Sequence, residues 1–316
     1  MLRGSQNVLI LLLLYATMSK PNPYRAFFGV QPPESFDPQE RHSSYPYVSS
    51  DTFRAICNHI IDETNLPFDP TKVKDGDLIY VRGYPICLNE FLQYLPHIKN
   101  RFILITHNSD DTLPGPYSFL LEYPLLIAWF TQNKGPENHP KLHALPIGIA
   151  CNYWYYGDPE ILTDALTTPR NSNKKHFLYI NFKASNNPQA RDHVWEHFRS
   201  KPFCYVSDIK PWKEYLYDLA DSRFVLSPPG NGLDCYRAWE ALLFGAIPVM
   251  FSTSIDCLFE DLPVIIVNNW THVTQESLEH RFKELQKRTY NFNKLYAPYW
   301  IDLIRSVQRN AVKKES

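Results

Sequence analysis

Phe224 to Met250 reads FVLSPPGNGLDCYRAWEALLFGAIPVM. It opens with an apolar run of strand length, Phe224-Val225-Leu226-Ser227, and closes on a second, from Ile247 to Phe251. Between them lie a proline–glycine loop, Pro228 to Asp234, and a helix-length stretch from Asp234 to Phe244. Strand, loop, helix, strand is the repeating unit of a parallel sheet. At about 100° per residue, Cys235, Ala238, Trp239, Leu242 and Leu243 share one apolar helix face toward that sheet. Arg237 and Glu240 then fall on the opposite face, three residues apart and side by side. Gly230 and Gly232 let the backbone turn tightly and approach a ligand closely. Asp234 stands where it caps the helix, whose free N–H groups attract phosphate oxygens.

The alternation extends in both directions. Strands are expected at Phe177–Asn181, Phe203–Val206 and Val264–Val267, with helices at Arg191–Arg199, Trp212–Ala220 and Gln275–Arg288. Five short apolar strands separated by helices make a doubly wound parallel sheet. Upstream, Leu78–Val81, Phe102–Ile105 and Leu125–Ala128 read as buried strands, Leu145–Ile149 as a last one, and Thr52–Thr64 and Leu88–Leu95 as helices. Cys151 to Lys175 loses the periodicity and reads as a linker, while residues 20–48 read as an extended arm. The chain therefore divides into 1–19, a signal or anchor segment; 20–155, a first Rossmann-like domain; 156–290, a second; and 291–316, a terminal helical segment. Two such layers enclose a cleft, and ligands of open parallel sheets gather outside the carboxyl ends of strands.

Composition sets the outer bounds. A chain of 316 residues, 44% hydrophobic, buries a large core and more often forms two domains than one. Its 32 basic and 33 acidic residues leave a net charge of -1, which excludes the electrostatic signature of a dedicated nucleic-acid binder. Six cysteines without a C-x-x-C pair argue against a structural zinc site or a dense disulfide framework. The apolar run Val8–Met18 falls short of the ~20 residues of a membrane span. Two readings of it stand: a targeting segment, which puts the chain in the secretory lumen or at a membrane, and a start at Met18, which leaves it cytoplasmic.

The glycine loop and its helix carry a resemblance. Ser-Pro-x-Gly-x-Gly-x-Asp, then Arg237, Glu240-Ala241 and Gly245-x-Ile-Pro-Val, resembles the donor-binding block of exostosin-type (GT47-like) glycosyltransferases, and of the related xylosyltransferases that act on ribitol phosphate. The likeness is specific here and over Phe259–Pro263, and diffuse over about half the chain. It implies an α/β fold of GT-B type, with two Rossmann-like domains facing a central cleft and the last helix crossing back to the first. It further implies a nucleotide-sugar donor such as a UDP-sugar, inverting transfer to a hydroxyl of a glycan-type acceptor, and no required cofactor or metal. Pro229 departs from the pattern, which usually has Arg or another residue there; if that Arg contacts phosphate, its role in this chain falls to another side chain.

Candidate residues follow. Arg237 suits a diphosphate and Glu240 the hydroxyls of a ribose, with Ser227, Gly230, Asn231, Gly232 and Asp234 forming the loop. Lys183 and Arg191, after the strand Phe177–Asn181, are placed to neutralise the departing nucleotide, with Asn187 beside them as a further donor-binding residue. For the base, Asp110 is the first candidate at the end of Phe102–Ile105, with Asp111 and His107 as substitutes; a polar turn is the plain alternative. Tyr153 to Tyr156 offer rings to stack on sugar, and Trp129 and Asn133 are weaker cleft candidates. Asp75-Gly76-Asp77 spells a D-x-D, but Asp-Gly before a strand is ordinary turn chemistry. An epimerase of the same fold and a catalytically silent sugar-binding protein remain the rival functions.

Overall fold

The first five strands follow one another across their sheet, and that order dictates where the two ends of the chain must go. The computed structural model describes residues 41–170 and 173–313, so the signal-or-anchor segment 1–19 and most of the arm lie outside the described residues. Among the described residues, β1 (His59–Ile61), β2 (Asp77–Arg82), β3 (Phe102–His107), β4 (Leu126–Thr131) and β5 (Leu142–Ala144) lie side by side in chain order, all parallel. Right-handed crossovers between successive parallel strands all fall on one face. That face, with Ile79, Val81, Leu104 and Trp129, is covered by Leu88 and Phe91 of helix α2 (Pro85–Tyr94) and by the 3-10 segment Gly115–Glu122.

The opposite face gets no crossover. Leu78, Tyr80, Ile103, Ile105 and Phe130 are instead covered from both ends of the described chain, by Phe53 of α1 (Ser50–Ala55) and by Trp300 and Ile304 of α8 (Ala297–Lys313). An antiparallel bridge between Tyr47 and Tyr296 ties these two ends together. No helix among the described residues is long and apolar enough to cross a membrane.

The second sheet runs β7 (Cys204–Val206), β6 (His176–Ile180), β8 (Ser222–Leu226), β9 (Ile247–Phe251), β10 (Ile265–Val267), again all parallel. The order reverses between β6 and β8, so helices cover both faces. On one lie α4 (Pro188–Phe198) and α7 (Gln275–Leu285). On the other lie α5 (Trp212–Ala220) and α6 (Tyr236–Leu243), whose apolar side chains join the same core as the α8-covered face of the first sheet. Two helix-flanked parallel sheets meeting along a central cleft make an α/β fold of GT-B type.

Five expectations need correction. The helix read at Thr52–Thr64 ends at Ala55, because Asn58 turns into the sheet: its N–H donates to Leu78 O at 2.9 Å and its Oδ1 accepts from Leu78 N at 3.0 Å. The following His-Ile-Ile becomes β1. The last strand of the first sheet is Leu142–Ala144, not Leu145–Ile149; Pro146 has no N–H to donate, and Gly148 bends at φ 68 against Val48 O. Within the linker, Asp158 caps a helix, α3 (Pro159–Thr167), accepting from Glu160 N and Ile161 N. The terminal helix begins at Ala297 rather than at 291, and α7 stops at Leu285 rather than Arg288.

Trp300 is 4% exposed and its Nε1 donates to Lys294 O at 2.8 Å. Trp300→Ala opens the face that no crossover covers, and is expected to cost about 3–5 kcal/mol in urea unfolding. A loss below about 1 kcal/mol would show that α8 does not hold the first sheet.

Candidate active site

The reversal between β6 and β8 opens a crevice at the carboxyl ends of those strands, the place where doubly wound sheets collect ligands. Two arginines converge there. Arg191, in the first turn of α4, donates from Nε to Pro229 O at 2.8 Å and from Nη1 to Lys183 O at 3.0 Å. Arg237, in the first turn of α6, donates from Nε to Asn181 O at 2.8 Å. Their guanidinium carbons lie 5.6 and 5.5 Å from the centre of the Phe182 ring. Neither has a carboxylate partner among the described residues. Burial, and then the charge of Arg237, push the Arg191 guanidinium down to about 10. Lys183 is exposed beside them. A Cβ on Gly230 would stand 3.2 Å from Arg191 Nη2, so the missing side chain leaves that guanidinium its place. Two adjacent cations without a salt-bridged carboxylate repel each other, with buried Glu240 offsetting Arg237 only in part, and a bidentate anion relieves that repulsion.

Other residues expected at this seat have different work. Glu240 is not on an outer face: α5 lies over it, and Trp212 Nε1 and Tyr215 Oη donate to its two oxygens at 3.1 and 2.8 Å. Burial holds its carboxyl above the usual range, partly offset by those two donors. It ties α5 to α6 and presents no free oxygen to a ribose. Asp234 does not cap α6, whose N-cap Cys235 has no side-chain bond. Its Oδ2 instead accepts from Ile147 N and Trp239 Nε1, both at 2.9 Å, across the junction of the two halves. Gly232 is required by protein, not ligand; a Cβ there would lie 2.8 Å from both amide atoms of Asn133. Asn187 donates to Gly230 O and accepts from Ala190 N, so it braces the loop. Ser227 is buried, with its hydroxyl on Val225 O.

A second cavity of about 310 Å³ adjoins this crevice at the carboxyl ends of β2, β3 and β4. Asp110 lines it, exposed, and its Oδ2 accepts from Tyr84 Oη at 3.3 Å and from Asn231 Nδ2 at 3.4 Å. Asn231 follows Gly230, so one side chain of the second half's glycine loop touches the carboxylate of the first half. Asp111 is exposed and does not line the cavity. His107 lines it but is no base: Nε2 is bonded to Pro146 O at 3.0 Å, Nδ1 accepts from Asn108 N, and burial pushes it down to about 4. It is a neutral strut. Trp129 is fully buried, donating to Thr106 Oγ1, and Asn133 is buried at the junction, where its Oδ1 accepts from Leu233 N and its Nδ2 donates to Ser109 O. Asp75 is paired with Arg101, and Asp77 with His59. No group of three metal-ligating side chains is found among the described residues.

Several lining residues were not singled out from sequence. Arg82, Tyr84, Asn108, Gln132 and Tyr236 all face the cavity. Asn108 has a left-handed backbone, φ 57, at the end of β3. Nothing in the local sequence distinguishes these from ordinary loop residues; only the cleft brings them together.

The family match found by comparison with known proteins falls mainly on the second half. Residues 143–281, from β5 into α7, match the Exostosin GT47 domain. That stretch is similar to the exostosin GT47 family over somewhat less than half of the chain. A protein of Oryza sativa subsp. japonica named as a probable glucuronosyltransferase is 31% identical over 144 residues, 42% of this chain and 33% of that protein. A probable β-1,4-xylosyltransferase of Arabidopsis thaliana is 28% identical over 144 residues, with the same 42% and 33% coverage. The matched region thus spans about a third of the length of these relatives. Among solved structures, UDP-GlcNAc 2-epimerase from Methanocaldococcus jannaschii overlays at 9% identity and a TM-score of 0.36, covering 75% of this chain and 76% of that one.

Within the matched region, the Asp234 carboxyl is fully enclosed, and burial raises it to about 6. A carboxyl with a raised folded pKa binds its proton more readily folded than unfolded, so stability grows as pH falls from about 6 toward the unfolded value of 3.8. Comparison with Asp234→Asn in urea unfolding at a series of pH values isolates this contribution, since other carboxylates cancel. The wild type is expected to gain on the variant as pH falls through that window; a constant difference would mean that Asp234 does not titrate there.

Proposed function

We propose that this protein is a GT47-type inverting glycosyltransferase that moves a sugar from a nucleotide sugar, a UDP-sugar, to a hydroxyl of a glycan-type acceptor. The supporting observation is the pair Arg191 and Arg237, neither in a salt bridge among the described residues, beside a glycine loop whose Asn231 reaches Asp110 in the adjoining cavity. In this reading the two guanidiniums and Lys183 hold the diphosphate. They carry the charge that grows on the departing nucleotide as the anomeric bond breaks. The guanidinium that Pro229 cannot supply comes from α4, through Arg191.

Asp110 takes the proton of the acceptor hydroxyl. Tyr84 and Asn231 engage only its Oδ2, which leaves Oδ1 to accept that proton. Attack from the side opposite the nucleotide inverts the anomeric carbon. Glu240 has no direct role at the donor here; it keeps α6, and so Arg237, at a fixed angle to α5.

The relatives' names put UDP-glucuronate and UDP-xylose first in a donor screen. Arg237→Ala is expected to weaken UDP binding by about 10- to 100-fold by calorimetry, the scale of a charged hydrogen-bonded contact. Asp110→Asn is expected to keep UDP affinity while transfer falls about 10²- to 10⁴-fold. Unchanged turnover in Asp110→Asn removes Asp110 from the mechanism. Unchanged UDP affinity in Arg237→Ala removes the crevice as the donor seat.

A further inference from the structure

The cavity beside Asp110 contains polar groups that the protein itself leaves without partners. Asn108 Nδ2 is buried and makes no hydrogen bond, although its backbone is held in the left-handed region. Gln132 is 4% exposed, and its Oε1 accepts from Asn108 N at 3.0 Å, but its Nε2 has no acceptor among the described residues. Both side chains line the cavity. Burying an amide donor unpaired costs about 1–3 kcal/mol, and the left-handed backbone adds to that. Such costs persist at sites where a ligand supplies the missing acceptors.

The walls are aromatic. Trp154 and Tyr156 stack with centroids 5.3 Å apart and planes 15° from parallel, and Tyr236 meets Tyr156 from α6. All three line the cavity and are partly exposed. Ring faces beside amide donors suit a molecule with an apolar C–H face and a rim of hydroxyls.

Charge narrows the class. Arg82 is the cationic lining residue, but Glu63 lies 3.3 Å from its Nη1 and its guanidinium sits 4.9 Å over the Tyr84 ring. Asp110 has no cationic partner among the described residues. Its charge disfavours a carboxylate or phosphate placed against it within the cavity, away from the arginines of the neighbouring crevice.

We infer that this cavity is a binding site for the uncharged pyranose end of a glycan, with Trp154 and Tyr156 as its platform and the amides of Asn108 and Gln132 as donors to its oxygens. The inference rests on the glycosyltransferase reading only in calling that sugar the acceptor; the binding itself stands apart from it. Asp110 would then meet a sugar hydroxyl already oriented by the two amides.

The test uses the full chain without nucleotide. Binding of p-nitrophenyl β-D-glucopyranoside is compared with that of p-nitrophenyl β-D-glucuronide, which differs by a carboxylate, using saturation-transfer NMR and tryptophan fluorescence. The glucoside is expected to bind at least about tenfold more tightly. Trp154→Ala is expected to weaken it about tenfold, and Gln132→Glu and Asn108→Asp about five- to tenfold each, with UDP affinity as the check that each variant is folded. Gln132→Glu keeps the oxygen that Asn108 N needs, and Asn108→Asp keeps a residue type tolerant of left-handed backbone. Equal or tighter binding of the glucuronide overturns the neutral-sugar assignment, and so does glucoside binding that none of the three variants alters. Glucoside binding that follows these expectations, with no nucleotide sugar supporting transfer, keeps this inference and sinks the transferase reading. Asp110-dependent transfer with glucoside binding unaffected by the variants does the reverse.

Discussion

Residue 232 has no room for a side chain, because the carboxamide of Asn133 already occupies that space. The same carboxamide accepts the N–H of Leu233 and donates to Ser109 O, while Asp234 receives the N–H of Ile147. This small buried junction sets how the glycine loop of the second half lies on the first. The position of Asn231 against Asp110 follows from it, and so does the adjacency of the arginine crevice and the aromatic cavity. A side chain at 232 would push the halves apart at the one point where both sites meet.

The junction is polar and buried, and that combination gives it precision at some cost in stability. Asp234 Oδ1 has no partner, and the enclosed carboxyl is held well above its usual range. A hydrophobic contact would tolerate sliding; hydrogen bonds to a backbone N–H and an indole do not. The arginine pair is a similar case. Arg191 and Arg237 are fixed by three carbonyl oxygens and lie near one aromatic ring, so the protein itself sets their geometry, as the proposed diphosphate seat requires. Preorganised charge of this kind lowers a barrier without reorganising during the reaction.

The first sheet shows how topology recruits distant sequence. Sequential parallel strands put every crossover on one face, so the other face had to be covered by segments outside the strand series. Phe53 and Trp300, nearly the whole described chain apart, meet over it. The functional half of the molecule thus depends on a terminal helix that carries none of the chemistry. Without α8 the first sheet loses the cover of one face, and the end of β3 that presents Asp110 loses its support.

Local pattern alone was enough to read the strand–helix alternation of both halves, because apolar runs of strand length and helical spacing are properties of adjacent residues. It also picked out Arg237 and Arg191, since a glycine loop ahead of a helix and a cation in its first turn are visible in the chain. It misplaced Glu240, because a helical wheel shows which face turns from the sheet but not that α5 will cover that face. It read Gly232 and Asp234 as ligand-facing for the same reason: their partners, Asn133 and Ile147, are about a hundred residues away. Asn108 and Gln132 carry no signature in the sequence, and their unpartnered amides exist only where two strand ends and an aromatic loop enclose them. Sequence by itself determined the elements and their order, through short-range spacing. Which side chains ended up enclosed, and which stayed open to a ligand, was decided by packing between elements that no local pattern encodes.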